Sequence, residues 1–201
     1  MNVFHFSRII IIQSLPAEQL HSGSRLREDL CVLNDAYDFG LEIELFEVST
    51  KNFLIAKLEE LIKEVSSKGY PIIHIEAHGS EDKEGIILSS GEFVSWSDLK
   101  TPSIMATRNN LFIVLAACYG AHIVEILDLT DRAPCCALIG PIKKVDSNAI
   151  LRDFTDFYKE MLVTGDGGRA VQVLNSNAKE EDTLYYITRQ RFFLKKFSIN
   201  I

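Results

Sequence analysis

Residues 70–79 read Tyr-Pro-Ile-Ile-His-Ile-Glu-Ala-His-Gly, and residues 111–120 read Leu-Phe-Ile-Val-Leu-Ala-Ala-Cys-Tyr-Gly. Both stretches begin with a short apolar run that contains β-branched residues, which is typical of a strand buried inside a sheet. The run 111–117 is the most apolar of the chain. Each run leads into a reactive side chain, His78 in the first and Cys118 in the second. We therefore predict two buried strands whose carboxyl ends carry these two residues.

Strands and helices alternate on both sides of these stretches. Further strands are predicted at 9–12, 41–45, 135–140 and 184–193. The predicted helices run from Pro16 to Gly40, from Thr50 to Gly69, over 119–129, from Ser147 to Leu162, and from the glycine turn 165–168 to about Ser176. Two short strands, 85–88 and 92–96, surround a turn. This order predicts an α/β fold: a mostly parallel sheet of about six strands with helices on both faces, and a small β-hairpin between the strands that carry His78 and Cys118.

The composition is that of a globular protein. The chain has 201 residues, 47% of them hydrophobic, which predicts one domain over 1–201 with a sizeable core. The net charge of −7, with no basic run longer than two residues, argues against nucleic acid or an anionic membrane as a partner. The apolar stretch Ile9–Ile12 is too short for a membrane span and lacks the layout of a signal peptide, so we expect a cytoplasmic protein.

The cysteines do not form a recognisable structural pattern. They are Cys31, Cys118, Cys135 and Cys136, and no pair has the CxxC spacing. Adjacent cysteines such as the last two cannot easily bridge to each other. The sequence therefore predicts neither a disulfide framework nor a zinc site, and we expect no metal and no cofactor.

The two reactive side chains are expected to meet at one edge of the sheet. Ligands of open α/β sheets bind beyond the carboxyl ends of the strands, and right-handed crossovers would make the two strands neighbours. A cysteine becomes a nucleophile when a base takes its proton, and His78 is a suitable base for Cys118. Gly79 would let a substrate approach the backbone, and the start of the helix 119–129 would favour a thiolate and an oxyanion at Cys118. These features predict an acyl-transfer site.

Simpler interpretations exist for the same residues. A lone cysteine after an apolar strand is commonly a core residue, and a histidine at a strand end commonly lies at the surface. His74 and Glu76 share a strand face with His78 because side chains alternate with a period of two. His74 would support the site or simply pack, and Glu76 would orient an imidazole.

The chain resembles the caspase-like cysteine peptidases, and among them the CHAT branch, which includes separase relatives and bacterial defence peptidases. The segment 73–79 resembles their strand that ends in His-Gly, and 115–120 resembles their strand that runs into Ala-Cys-x-Gly. The hairpin 85–94 is similar to that of the CHAT branch. In the last third, Gly140, Val145-Asp146, Phe157-Tyr158 and Gly165 follow the CHAT layout, so the resemblance spans roughly residues 7–193.

The resemblance implies a role for each matching residue. His78 would be the general base and Cys118 the nucleophile, with the backbone N–H groups of Gly79 and Cys118 forming the oxyanion hole. The reaction would be hydrolysis of a protein or peptide substrate through a thioester acyl-enzyme. Asp146 matches a position near the specificity pocket and so implies a basic residue before the cut, although a helix N-cap also explains this aspartate.

The resemblance also implies an effector of a bacterial defence or cell-death system, activated by a regulatory protein partner or by homo-oligomerisation. A catalytically silent caspase-like module that binds a protein is the alternative. An unrelated flavodoxin-like or receiver-like domain would need a phosphate loop or an acidic pair after the first strand, and the chain has neither.

Overall fold

Among the residues that the structure describes, six strands form a sheet with helices on both faces. The computed structural model describes residues 5–100, 111–126, 137–177 and 184–188. The strands are β1 (Arg8–Ser14), β2 (Glu42–Glu47), β3 (Pro71–Gly79), β4 (Gly85–Ile87), β5 (Phe93–Ser95), β6 (Phe112–Ala116), β7 (Ala137–Pro141) and β8 (Leu184–Thr188). The helices are α1 (Ser22–Tyr37), α2 (Lys51–Lys68), α3 (Trp96–Leu99), a 3₁₀ helix (Gly120–Ile126), α4 (Ser147–Thr164) and α5 (Gly167–Asn177).

The sheet is parallel from β2 to β7. Its order is β2-β1-β3-β6-β7-β8, and β8 runs antiparallel to β7. The antiparallel β4–β5 hairpin is attached to the end of β3. This arrangement confirms the predicted α/β fold, and it makes β3 and β6, the two strands that precede His78 and Cys118, direct neighbours.

Each face of the sheet carries its own apolar core. Along β3, Ile73, Ile75 and Ala77 face α2, α3 and the 3₁₀ helix. Ile72, on the opposite face of the same strand, packs in the core formed with α1, α4 and α5. The alternation follows from the period of two in a strand, and it places helices on both faces of the sheet as predicted.

Local signals explain where several helices begin and end. The hydroxyl of Thr50 accepts a hydrogen bond from the N–H of Phe53 and so caps α2, which ends at Gly69. The carboxylate of Asp146 caps α4, which ends at Gly165 with a φ of +62°. Glycine suits this last position because other side chains rarely adopt positive φ.

Two predicted helices differ from the structure. Pro16 opens a turn, closed by a hydrogen bond from the N–H of Gln19 to the carbonyl of Pro16 at 3.0 Å, and α1 begins only at Ser22. After Cys118 the chain forms a 3₁₀ helix over Gly120–Ile126, where the helix 119–129 was predicted. Tyr119 has a φ of +63°, which a right-handed helix does not accommodate, so the helix begins only at Gly120. Residues 127–129 and 135–136, and the predicted strand beyond Thr188, lie outside the described residues.

None of the helices in the described ranges is both long and apolar enough to cross a membrane. Within the same ranges, no group of three or more His, Cys, Asp or Glu side chains is arranged to hold a metal ion.

Candidate active site

His78 is one of the last two residues of β3, and Cys118 lies two residues beyond the end of the adjacent strand β6. In the parallel pairing of β3 with β6, Glu76 stands opposite Ala116. Two residues further along each chain come His78 and Cys118, and both are half-buried. The sheet therefore places at one carboxyl edge the two residues that the sequence predicted as base and nucleophile, and their roles stay predictions.

The main chain of Cys118 crosses directly against Gly79. A Cβ atom built on Gly79 would lie 1.8 Å from the carbonyl oxygen of Cys118 and 2.9 Å from its Cα. Only glycine fits here, since real Cβ atoms do not approach other atoms to within 3.0 Å. The small size of Gly79 was predicted to let a substrate approach the backbone. In the structure, it lets the main chain of Cys118 approach.

The hairpin pairing turns the N–H of Gly79 away from β4. In the antiparallel ladder of β3 with β4, the N–H of Ser80 donates to the carbonyl of Gly85 at 2.9 Å. Residues alternate along such a ladder, so the N–H of Gly79 points away from β4. The hairpin lies on the β1 side of β3, where the N–H of Ser89 donates to the hydroxyl of Ser14. The side away from β4 is therefore the side of β6, and an oxyanion hole at this N–H stays a prediction.

The thiol of Cys118 contacts the loop between β7 and α4. The N–H of Val145 donates to Sγ at 3.5 Å, and the carbonyl oxygen of Val145 lies 3.8 Å from Sγ. The next residue, Tyr119, donates its N–H to the carbonyl of Lys143 at 3.2 Å. The loop thus holds the Cys118 segment in place and offers the sulfur one N–H donor, which stabilises a thiolate.

Two lysine side chains lie beside the segment that follows β6. The ammonium of Lys144 pairs with Glu81 at 3.0 Å, and Lys83 lies 5.2 Å from the centre of the Tyr119 ring. The Glu81 carboxylate raises the pKa of Lys144, and negative charge on Tyr119 and Cys118 adds smaller contributions. Both lysine side chains thus lie at the exposed rim of this segment, and the ammonium of Lys144 is paired with Glu81.

His78 has a hydrogen-bond partner that the sequence analysis missed. Its Nε2 atom lies 2.7 Å from the side-chain oxygen of Gln19. Gln19 is 59 residues away in the chain and belongs to the turn before α1. No periodicity or motif marks such a contact, because a loop between two elements decides where its side chains point.

His74 packs in the core beneath the site. Its Nδ1 atom lies 3.1 Å from the hydroxyl of Tyr158, and the ring meets Phe154 edge-on with 5.1 Å between centroids. Burial lowers the pKa of His74 to about 3, so the ring is neutral at ordinary pH. Of the two interpretations in the sequence analysis, these contacts favour packing.

Glu76 is buried next to the site and accepts a hydrogen bond from α1. The hydroxyl of Ser22 donates a hydrogen bond to its carboxyl group. Burial raises the pKa of Glu76 to about 7, and the bond from Ser22 opposes that rise. Glu76 lies on the predicted face of β3, but its carboxyl group accepts a hydrogen bond from Ser22. The hydrogen-bond partner of the His78 imidazole is Gln19.

Asp146 is placed beside the site by its neighbour Val145, which contacts Cys118. One carboxylate oxygen of Asp146 accepts hydrogen bonds from the N–H groups of Asn148 at 2.9 Å and Ala149 at 3.2 Å. The aspartate therefore has the helix-capping role that the sequence analysis offered as an explanation. A role in substrate specificity stays a prediction.

A solved structure of the Drosophila initiator caspase Dronc has the same overall architecture. It matches with a TM-score of 0.58 at 12% sequence identity, covering 93% of this chain and 81% of that chain. The fold is caspase-like. No protein-family model and no curated protein sequence matches the chain. At 12% identity the likeness shows the fold, so a caspase-like activity and the resemblance to the CHAT branch stay predictions.

Proposed function

We propose that this caspase-like chain is a cysteine peptidase in which Cys118 is the nucleophile and His78 the general base. The observation that supports the proposal is the register of β3 with β6, in which Glu76 pairs with Ala116 two residues before His78 and Cys118, together with the contact of Gly79 with the main chain of Cys118. A thiol and an imidazole at the same carboxyl edge of an α/β sheet are the two groups that nucleophilic catalysis by cysteine requires.

The steps of the reaction follow from this arrangement. His78 takes the proton of the Cys118 thiol, and the thiolate attacks the carbonyl carbon of a peptide bond. The oxyanion that forms accepts hydrogen bonds from the N–H groups of Gly79 and Cys118. The C–N bond then breaks, His78 gives its proton to the leaving amine, and a thioester remains on Cys118. Water, deprotonated by His78, hydrolyses the thioester and restores the thiol.

The proposal includes a preference for a basic residue before the cut, with Asp146 as the acidic side chain. Its support is the position of Asp146 directly after Val145, the residue that contacts the nucleophilic sulfur. Capping uses one carboxylate oxygen, Oδ1, which accepts both N–H groups.

The proposal also includes regulation by a protein partner or by a second copy of the chain, in a bacterial defence or cell-death system. Its support is the resemblance to the CHAT branch. A purified chain without activity would then be in a latent state, and the test of the proposal must distinguish latency from a binding module.

A cleavage profile on a mixed peptide library tests the proposal. The wild-type chain is compared with Cys118→Ala and with Cys31→Ala, in which another half-buried free cysteine is removed. We expect cleavage after one residue class by the wild type and by Cys31→Ala, and none by Cys118→Ala. Cleavage that survives in Cys118→Ala contradicts the proposal. If no variant cleaves, alkylation decides: a fast Cys118 indicates a latent enzyme, and a Cys118 no faster than Cys31 indicates a binding module.

A further inference from the structure

The imidazole of His78 is tied to the turn that precedes α1. Its Nε2 atom lies 2.7 Å from Oε1 of Gln19, which is a short and therefore strong contact for a neutral pair. An amide oxygen only accepts hydrogen bonds, so Nε2 carries the proton and donates it. The other ring nitrogen, Nδ1, then has its lone pair free.

We propose that Gln19 is a positioning residue for the pair of His78 and Cys118. The proposal rests on the proposed cysteine peptidase function. By accepting the Nε2–H bond, Gln19 holds the ring in one tautomer and one orientation, and leaves Nδ1 as the atom that takes the thiol proton. After that transfer the imidazolium carries N–H groups on both nitrogens, and the bond to Gln19 becomes stronger because its donor is charged. The contact therefore stabilises the thiolate–imidazolium pair more than the neutral pair.

The chain holds Gln19 in place on both sides. The N–H of Gln19 donates to the carbonyl of Pro16 at 3.0 Å, which closes the turn directly after β1. Three residues later, α1 begins at Ser22, whose hydroxyl is bonded to the buried Glu76 of β3. The turn is thus anchored to the two strands next to it. Because the backbone of this turn is already ordered, the contact between the Gln19 amide and His78 requires no additional loss of backbone entropy.

Gln19 itself is exposed, which separates its proposed role from one in folding. Replacing an exposed side chain away from caps and buried pairs changes stability little. Glu18, the exposed neighbour of Gln19, is the charged residue of the same turn, and Lys144 acts on the Cys118 side of the pair. Glu76, two residues before His78, is bonded to Ser22. Glu18→Ala therefore serves as the matched control, since it alters the turn and the local charge but not the amide.

Alkylation of Cys118 by iodoacetamide, followed as a function of pH, tests the proposal without requiring peptidase activity. Loss of one hydrogen bond to the imidazolium is expected to raise the apparent pKa of the thiol by about one unit in Gln19→Ala and to slow alkylation near neutral pH about tenfold. Gln19→Glu keeps an acceptor at the same place and adds a negative charge, so it should retain or increase the rate. Glu18→Ala should behave as the wild type, and all variants should melt at the wild-type temperature.

The pKa of His78, measured by NMR in a Cys118→Ala background, gives an independent readout. We expect Gln19→Glu to raise this pKa and Gln19→Ala to lower it, because the contact stabilises the charged ring more than the neutral one. The proposal is overturned if Gln19→Ala leaves both the alkylation profile of Cys118 and the pKa of His78 at wild-type values. If the wild type cleaves no peptide and its Cys118 reacts no faster than Cys31, the proposed peptidase function is wrong. The change in the pKa of His78 in Gln19→Glu still reports whether Gln19 contacts His78.

Discussion

Replacing Gly79 with alanine tests the contact that brings β3 against Cys118. The new Cβ would lie 1.8 Å from the carbonyl oxygen of Cys118, 2.6 Å from its carbonyl carbon and 2.9 Å from its Cα. All three are backbone atoms, so no rotation of a side chain relieves the overlap. The two strand ends must separate by about 1.2 Å before the oxygen is at the shortest distance that real Cβ atoms reach.

This separation affects stability and reactivity to different degrees. Overpacking a rigid contact costs about 3 kcal/mol. For a chain of this length, such a loss lowers the melting temperature by about 6–12 °C. The same movement changes the distance between His78 and Cys118, and a misplacement of about 1 Å lowers the rate of a positioned reaction about 100-fold.

Thermal unfolding and the rate of Cys118 alkylation at neutral pH measure the two effects. Gly168→Ala is the matched control, because a Cβ there would meet only the side-chain oxygen of Asp166 at 3.1 Å, in the first turn of α5. Alanine is favoured over glycine inside a helix, so the control should melt at or slightly above the wild-type temperature. If Gly79→Ala melts within 2 °C of the wild type and alkylates at the wild-type rate, the close contact between Gly79 and Cys118 is wrong.

Three further results are expected. Iodoacetamide should modify Cys118 at least about tenfold faster than Cys31 at pH 7, as read from peptide masses, and equal rates would contradict a thiolate favoured by its surroundings. Glu64→Gln should lower the free energy of unfolding, measured in urea, by about 2 kcal/mol. The reason is that the guanidinium of Arg8 is only 1% exposed and lies 2.8 Å from the Glu64 carboxylate. An unchanged urea midpoint would show that this ion pair does not stabilise the fold. Burial raises the pKa of Glu76 from 4.5 to about 7, so the folded protein keeps a proton that the unfolded chain releases, and stability falls as the pH rises through this range. Glu76→Gln removes this titrating group. The free energy of unfolding of the variant relative to wild type should therefore increase by about 3 kcal/mol from pH 4.5 to pH 8. If the difference between variant and wild type does not change with pH, Glu76 is not a buried neutral carboxyl.

Much of the fold follows from local patterns. The apolar runs predicted the buried strands because a side chain's burial depends mainly on which face of its own element it occupies. Thr50, Gly69 and Asp146 marked helix ends because capping bonds join residues only two to four positions apart. The pairing of β3 with β6, the strands that lead to His78 and Cys118, was also predicted, since right-handed crossovers leave few possible neighbours for a strand.

Other features required the tertiary structure. The turn at Pro16 was predicted as helix because proline suits both a turn and a first helical turn, and the bond of Ser22 to Glu76 accompanies the later start of α1. The left-handed conformation of Tyr119 was equally invisible, since tyrosine rarely adopts it and only the packing of the segment after β6 selects it.

The sequence by itself thus determined the order of the elements, the faces they bury and the two reactive residues at the ends of adjacent strands. Only the tertiary structure decided what touches those residues: the main chain of Cys118 against Gly79, and the amide of Gln19 on His78. The physical reason is the range of the interactions. Periodicity and capping involve residues a few positions apart, whereas contacts between residues tens of positions apart depend on strand register and on the course of a loop, which no local pattern specifies.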